Sequence, residues 1–161
     1  PCPCGYAGDP KRECRCSSQK IQAYRNRISG PLLDRIDIHI EVPPVRYQDL
    51  SSLASGEASE VIRARVAVCR ARQRERFARA PHTPCNAAMS ARDVQAFCRP
   101  DDAAAELLKL AMSELNFSAR AYDRIVKVAR TIADMAGADT IGPSHISEAI
   151  QYRSLDRLMW V

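Results

Sequence analysis

Ser118-Ala119-Arg120-Ala121-Tyr122-Asp123-Arg124-Ile125-Val126-Lys127-Val128-Ala129-Arg130-Thr131-Ile132-Ala133-Asp134-Met135-Ala136-Gly137 carries a start, a period and a stop. Ser118 supplies a hydroxyl for the free N–H groups of a first helical turn. Tyr122, Ile125, Ala129, Ile132, Ala133 and Ala136 then recur at the helical period and predict one apolar stripe. Gly137 stands where a helix ends in the left-handed conformation. Arg120, Arg124 and Lys127 fall away from the stripe, so Arg120 is expected to be free to leave the packed face.

The same signals recur on both sides. Glu57 to Arg79 is predicted as a long helix, with Val61, Ile62, Val66, Cys69 and Gln73 near one stripe, Phe77 close to it, and Pro81 as its stop. Ser90 and Asp93 form a capping-box pair ahead of a short helix through Val94, Phe97 and Cys98, closed by Pro100. Asp101 and Asp102 sit at the positive end of a helix running to about Leu115. Gly142-Pro143 opens a last helix with Ile146, Ala149 and Ile150 inward. Five helices with short connections predict a helical bundle over residues 57–161. Aromatics make up only 6% of the chain while Ala, Leu, Ile and Val are plentiful, a composition suited to close helix packing.

Upstream the pattern changes. Residues 19–27 predict a short helix capped by Ser17 and Ser18, with Ile21, Tyr24 and Ile28 on one face. Ser29-Gly30-Pro31 reads as a turn. Ile36, Ile38, Ile40 and Val42 alternate with Asp37, His39 and Glu41, which predicts a strand with one buried face. Pro43-Pro44 would end it. Arg35 stands at the mouth of that strand, mounted on a short turn that Leu32 and Leu33 can anchor. The alternative is a local pair with Asp34 or Asp37. A Ser- and Gly-containing linker over 46–56 separates residues 1–45 from the bundle.

Cys2, Cys4, Cys14 and Cys16 form two Cys-x-Cys pairs nine residues apart. Gly5, Gly8 and Pro10 let the intervening loop turn. Four thiolates can hold structural zinc at tetrahedral geometry, although Cys-x-Cys is tighter than the usual Cys-x2-Cys. Two disulfides are the rival arrangement, but nothing in the sequence points to secretion, so reduced thiols are expected. Cys69 and Cys98 lie in helical patterns and read as small core hydrophobes. His82 and Cys85 share a loop, where two ligands alone make a weak metal signal.

Twenty-four Lys and Arg against 19 Asp and Glu give a net charge of +5, which permits an anionic partner without requiring one. Arg65, Arg72, Arg76 and Arg79 share one face of the predicted 57–79 helix, and Arg63, Arg70 and Arg74 another. Such a run is either a solvated face or a phosphate contact. No aromatic residues interleave with it, so base stacking is not supported. No apolar run has membrane-spanning length.

Gly30-Pro31-Leu32-Leu33-Asp34-Arg35-Ile36-Asp37 resembles the arginine-finger segment of the magnesium-chelatase-related AAA+ ATPases, more narrowly their competence-associated ComM/YifB type. Pro1-Cys2-Pro3-Cys4-Gly5-Tyr6 and Ser118 to Ile125 resemble the same family. The resemblance implies a mainly α chain: the helical lid of an AAA+ protein, preceded by a remnant of its α/β core with the Cys-rich loop, a short helix and one strand. It implies that Arg35 is an arginine finger acting in trans and that Arg120 is the second-sensor arginine on ATP. It further implies ATP and Mg2+ as cofactors of the parent, a homohexameric ring, a cytoplasmic location, and DNA as the remodelled partner in branch migration during natural transformation. The chain begins at Pro1 and reads as a fragment. It contains no Gly-x4-Gly-Lys-[Ser/Thr] phosphate loop, so these residues alone are expected not to hydrolyse ATP. The alternative reading is a zinc-stabilised nucleic-acid-binding helical module without ATPase activity.

Overall fold

A computed structural model describes residues 1–9, 11–40, 42, 45, 56–80 and 82–153. Seven α-helices appear among them: α1 Ser18–Arg25, α2 Gly30–Leu33, α3 Ser59–Arg76, α4 Ala91–Phe97, α5 Asp102–Glu114, α6 Ala119–Met135 and α7 Pro143–Gln151. A 3-10 turn, Asn86–Ala88, joins α3 to α4. The architecture is mainly helical, as expected. The described residues up to Ile36 form one compact unit, and those from Asp37 onward form another.

Local chemistry explains most helix boundaries. Ser17 Oγ accepts from the Lys20 N–H at 3.4 Å, and Ser118 Oγ from the Ala121 N–H at 3.1 Å. Asp101 Oδ1 accepts from the Ala104 N–H at 2.8 Å. Ser90 and Asp93 satisfy each other's backbone N–H groups in a capping box. At the end of α6, Gly137 adopts φ +77°. The Ala138 N–H reaches Ala133 O at 2.9 Å and the Gly137 N–H reaches Asp134 O at 3.3 Å, so two otherwise orphaned carbonyls are satisfied.

The second unit is built around α6. Ile125, Val126, Ala129 and Ala133 are fully buried there, together with Ala104 and Leu108 of α5 and Ile146 and Ala149 of α7. Phe77, Met89, Val94 and Cys98 close the same core. The Phe77 and Phe97 rings meet edge to face, 5.5 Å apart. Small side chains at positions 129 and 133 let neighbouring helices approach α6 closely, so its buried arc is wider than one stripe. Tyr122 and Ala136, placed on the predicted stripe, are exposed, while Ala121, Arg130 and Asp134 are buried.

Three sequence expectations are corrected. Ser29-Gly30-Pro31 opens the helical turn α2, because Pro fits the first turn of a helix, where its missing N–H is not needed. In α3, Cys69, Gln73 and the following Phe77 are buried, but Val61, Ile62 and Val66 are exposed. Its packing against α6 engages only the C-terminal half of the helix, where Cys69 Sγ lies 3.9 Å from Thr131 O.

The expected strand is the third correction. None of the described residues belongs to a strand; an isolated parallel bridge joins Pro100 to Ile141. Ile36, Ile38, Ile40 and Val42 are exposed, whereas His39 is 6% exposed. Asp37 is half-buried, and Ile38 and Ile40 line a groove with Lys127, Val128 and Ile132 of α6. A strand buries its apolar side only when a ladder holds it against a core. Here the Asp37 side chain pairs with Arg124 and the His39 N–H donates to Tyr152 O at 2.7 Å, and no ladder forms among the described residues of the segment. Glu41, Pro43, Pro44 and the 46–55 part of the expected linker lie outside the described residues.

Candidate phosphate-contact arginines and a four-cysteine centre

Arg35 follows α2 directly. Its N–H donates to Leu32 O at 3.0 Å, which holds it in the turn that closes the helix. Leu33, 5% exposed, anchors that turn, while the Arg35 side chain is exposed. A rigid backbone with a solvent-facing guanidinium is what a group reaching a phosphate requires.

Arg120 lies in the first turn of α6 and is exposed. Arg124, one turn further along, lies 2.7 Å from Asp37 Oδ1. The two arginines thus differ in availability although they share a helix. The Asp37 carboxylate, one of the two alternative partners considered for Arg35 beside Asp34, pairs with Arg124.

The four cysteines converge. The Sγ atoms of Cys2, Cys4, Cys14 and Cys16 all lie within 4.8 Å of one another. Cys2 is 3.3 Å from Cys4 and 3.6 Å from Cys14, and Cys4 is 3.6 Å from Cys14. Sulfurs bound to one zinc at about 2.3 Å would stand about 3.8 Å apart. The donor set and its spacing therefore fit a tetrahedral ion. Gly5 and Gly8 adopt φ +83° and +86°, which turns the chain back after Cys4. The Ala7 N–H points at Cys2 Sγ, 3.2 Å away. Such N–H donors stabilise a bound thiolate. Burial pushes the Cys2 thiol up, but hydrogen bonds with Cys4, the Ala7 N–H and Cys14 outweigh it and bring it down to about 6. At Cys14 a backbone bond at Cys16 pulls down, while burial and its thiol neighbours push harder and raise it to about 12. Pro10 lies outside the described residues.

The arginine face of α3 is largely engaged within the protein. Arg65 makes two hydrogen bonds to Glu57, at 2.8 and 2.9 Å. Arg72 is 3.7 Å from Asp139. Arg76 grips both carboxylate oxygens of Asp134 and donates to Asn86 Oδ1 at 2.9 Å. Arg79 lies beyond the helix end and is exposed, as are Arg63 and Arg74.

Sequence reasoning missed the hub of this network. Asp134 is 1% exposed and also accepts from Arg130 Nε at 3.1 Å and Asn86 Nδ2 at 2.8 Å. Burial pushes its carboxyl up, but hydrogen bonds from Arg76 and Asn86 and the charges of Arg130 and Arg76 hold it below the usual value. Arg130 donates onward to Asp139 O and Ala138 O at 2.7 and 2.6 Å. The only local signal was an Arg and an Asp four residues apart on an alanine-rich face. Cys69 and Cys98 are buried, as expected of small core hydrophobes, and burial lifts the Cys98 thiol to about 11.

No described helix is long and apolar enough to cross a membrane. Residues 56–153 match the family described as magnesium chelatase, subunit ChlI C-terminal, and residues 1–50 match magnesium chelatase, subunit ChlI. The chain is 40% identical over 146 residues to the competence protein ComM of Haemophilus influenzae, covering 90% of this chain and 28% of that one. It is 38% identical over 161 residues to the uncharacterized protein YifB of Salmonella typhimurium, covering 99% and 30%. It is 34% identical over 154 residues to the uncharacterized protein Mb2921c of Mycobacterium bovis, covering 95% and 30%. The chain thus spans less than a third of the length of these relatives. It belongs to the magnesium-chelatase ChlI family, and its likeness runs to the ComM and YifB proteins of that family.

Proposed function

We propose that this chain is the finger-and-lid part of a ring-forming AAA+ ATPase that couples ATP hydrolysis to the remodelling of DNA. The observation that carries the reading is the contrast on α6: Arg120 is exposed in the first helical turn, while Arg124 is held by Asp37. In phosphoryl transfer, negative charge spreads over the transferred group, and a placed guanidinium stabilises it. Arg35 is the finger that reaches ATP bound by the neighbouring subunit. Arg120 is the sensor that reaches ATP in its own subunit and couples its state to the lid. Mg2+ accompanies the ATP and offsets phosphate charge when bound. The four-cysteine centre holds structural zinc and fixes the fold of the loop that precedes the finger. The relative named competence protein ComM supports a role in handling transforming DNA, and the assembly in this reading is a hexameric ring.

The test mixes two full-length variants, Arg35→Ala and one lacking the Lys of its phosphate loop. Each alone is inactive. Mixed rings contain interfaces where an intact finger faces an intact pocket, so ATP hydrolysis should partly return. No recovery despite demonstrated co-assembly would refute action in trans.

A further inference from the structure

The positive charge of this chain is unevenly placed. Residues 1–36 hold seven Lys or Arg against three Asp or Glu, a net +4 of the chain's +5. Residues 37–154 hold 16 against 15 and are nearly neutral, although they contain the arginine-rich helix. The pairing follows the same division. On α3, Arg65, Arg72 and Arg76 are each matched to a carboxylate. Lys11, Arg12, Arg15, Lys20 and Arg27 are all exposed, and none forms an ion pair among the described residues.

Two of these cations, Arg12 and Arg27, are held against tyrosine rings. Asp9 Oδ1 accepts the N–H groups of Lys11 and Arg12 at 2.7 and 3.1 Å, fixing the backbone that presents both. Arg12 donates to the Tyr6 hydroxyl at 2.7 Å and lies 5.2 Å over the Tyr6 ring. Arg15 stands between two cysteines of the sulfur centre. On α1, Lys20 and Tyr24 share a face by helical spacing. Arg27, just past its end, lies 5.6 Å over the Tyr24 ring. An arginine stacked on an aromatic ring has lost much of its freedom, so less entropy is lost when it binds an anion. Asp9, Glu13 and Asp34 are the acidic residues among 1–36. A zinc bound by four thiolates would add two negative charges and leave residues 1–36 positive.

We propose that the four-cysteine loop and α1, rather than the arginine-rich α3, form the surface that takes the phosphate backbone of single-stranded DNA. The proposal rests on the reading of the full-length protein as a DNA-acting motor. It assigns no base-specific contact: the cations are suited to phosphate, and both tyrosine rings are covered by arginine.

The test is fluorescence anisotropy of a labelled, mixed-sequence single-stranded oligonucleotide titrated with the 161-residue chain across a salt series. The loop variant is Lys11→Glu/Arg12→Glu/Arg15→Glu, and the comparison is Arg63→Glu/Arg74→Glu on α3. Metal content and circular dichroism check that both fold. The loop variant should lose at least about tenfold in affinity, and its log K against log[salt] slope should flatten by about 2 for three lost contacts. The α3 variant should bind within about twofold of the parent. The reverse pattern, no DNA binding by the unaltered chain, or tighter binding to phosphatidylglycerol vesicles than to DNA would each overturn the proposal. In the full-length protein the loop variant should keep its DNA-independent ATP hydrolysis, whereas Arg35→Ala should not. Failure of the DNA surface is thereby separable from failure of the motor reading.

Discussion

Arg124 Nη1 lies 2.7 Å from Asp37 Oδ1, which ties the chain at Asp37 to α6 and leaves Arg120, one turn earlier, as the arginine proposed for the sensor. Both side chains are partly exposed, so the pair should contribute at most about 1 kcal/mol. Arg124→Ala in the full-length protein should lower stability slightly and leave ATP hydrolysis within about twofold. Arg120→Ala should reduce hydrolysis at least tenfold and blunt the nucleotide-driven movement of the lid. Steady-state kinetics alongside thermal melts separate the two. Equal losses of activity would show that the exposed arginine is not the one that counts.

The sulfur centre makes a stoichiometric prediction. Freshly purified, reduced protein should carry about one equivalent of zinc by elemental analysis. Cys14→Ser should lose it, and amide exchange in residues 1–9 and 11–16 should rise. Cys85→Ser should change neither, since Cys85 is not part of the four-sulfur cluster. Metal-free reduced protein with an unchanged exchange pattern would retire the site.

Asp134 should be the most costly polar position in the second unit. Asp134→Ala leaves Arg130 buried and Arg76 half-buried without their counter-charge, and the expected loss is about 3–5 kcal/mol in chemical denaturation. Asp134→Asn keeps the shape and part of the hydrogen bonding and should cost less. A loss below about 1 kcal/mol for Asp134→Ala would mean that the network contributes little.

The same carboxylate sets a pH dependence. Its folded-state value lies below its ordinary value of 3.8. Its contribution is therefore complete above the unfolded value and disappears as pH falls through the lower, folded one. The unaltered protein should lose stability steeply below about pH 4, and Asp134→Asn should show a shallower acid limb. Identical limbs would place the acid sensitivity elsewhere.

Much of the helical unit was legible because its boundaries are local. Ser118, the Ser90 and Asp93 pair, Asp101 and Gly137 each satisfy backbone groups within a few residues, and sequence spacing is enough to see that. That the four cysteines converge was legible for a similar reason, since loop length and glycine position limit where the sulfurs can go. The arginines paired to Asp134 were not. Whether Arg76 is a solvated cation or a structural one depends on Asp134, 58 residues away in the chain. The segment after Arg35 shows the opposite failure. Its alternation was real, but period two says only that successive side chains point to opposite sides. What Asp37 and His39 pair with was decided by Arg124 and the Tyr152 carbonyl, neither of them visible locally.

The short bridge between Pro100 and Ile141 has a kinetic consequence. The Asp101 N–H donates to Ile141 O at 2.9 Å, and Asp101 also caps α5. One residue therefore starts a helix and closes a ring of chain that contains all of α5 and α6. That closure brings together residues far apart in sequence, so its entropy must be lost before the contact forms. The Asp101 amide should consequently exchange with solvent only when the whole bundle opens. A truncation that ends the chain before Ile141 would remove the clasp and leave α5 without the neighbour against which its first turn is set.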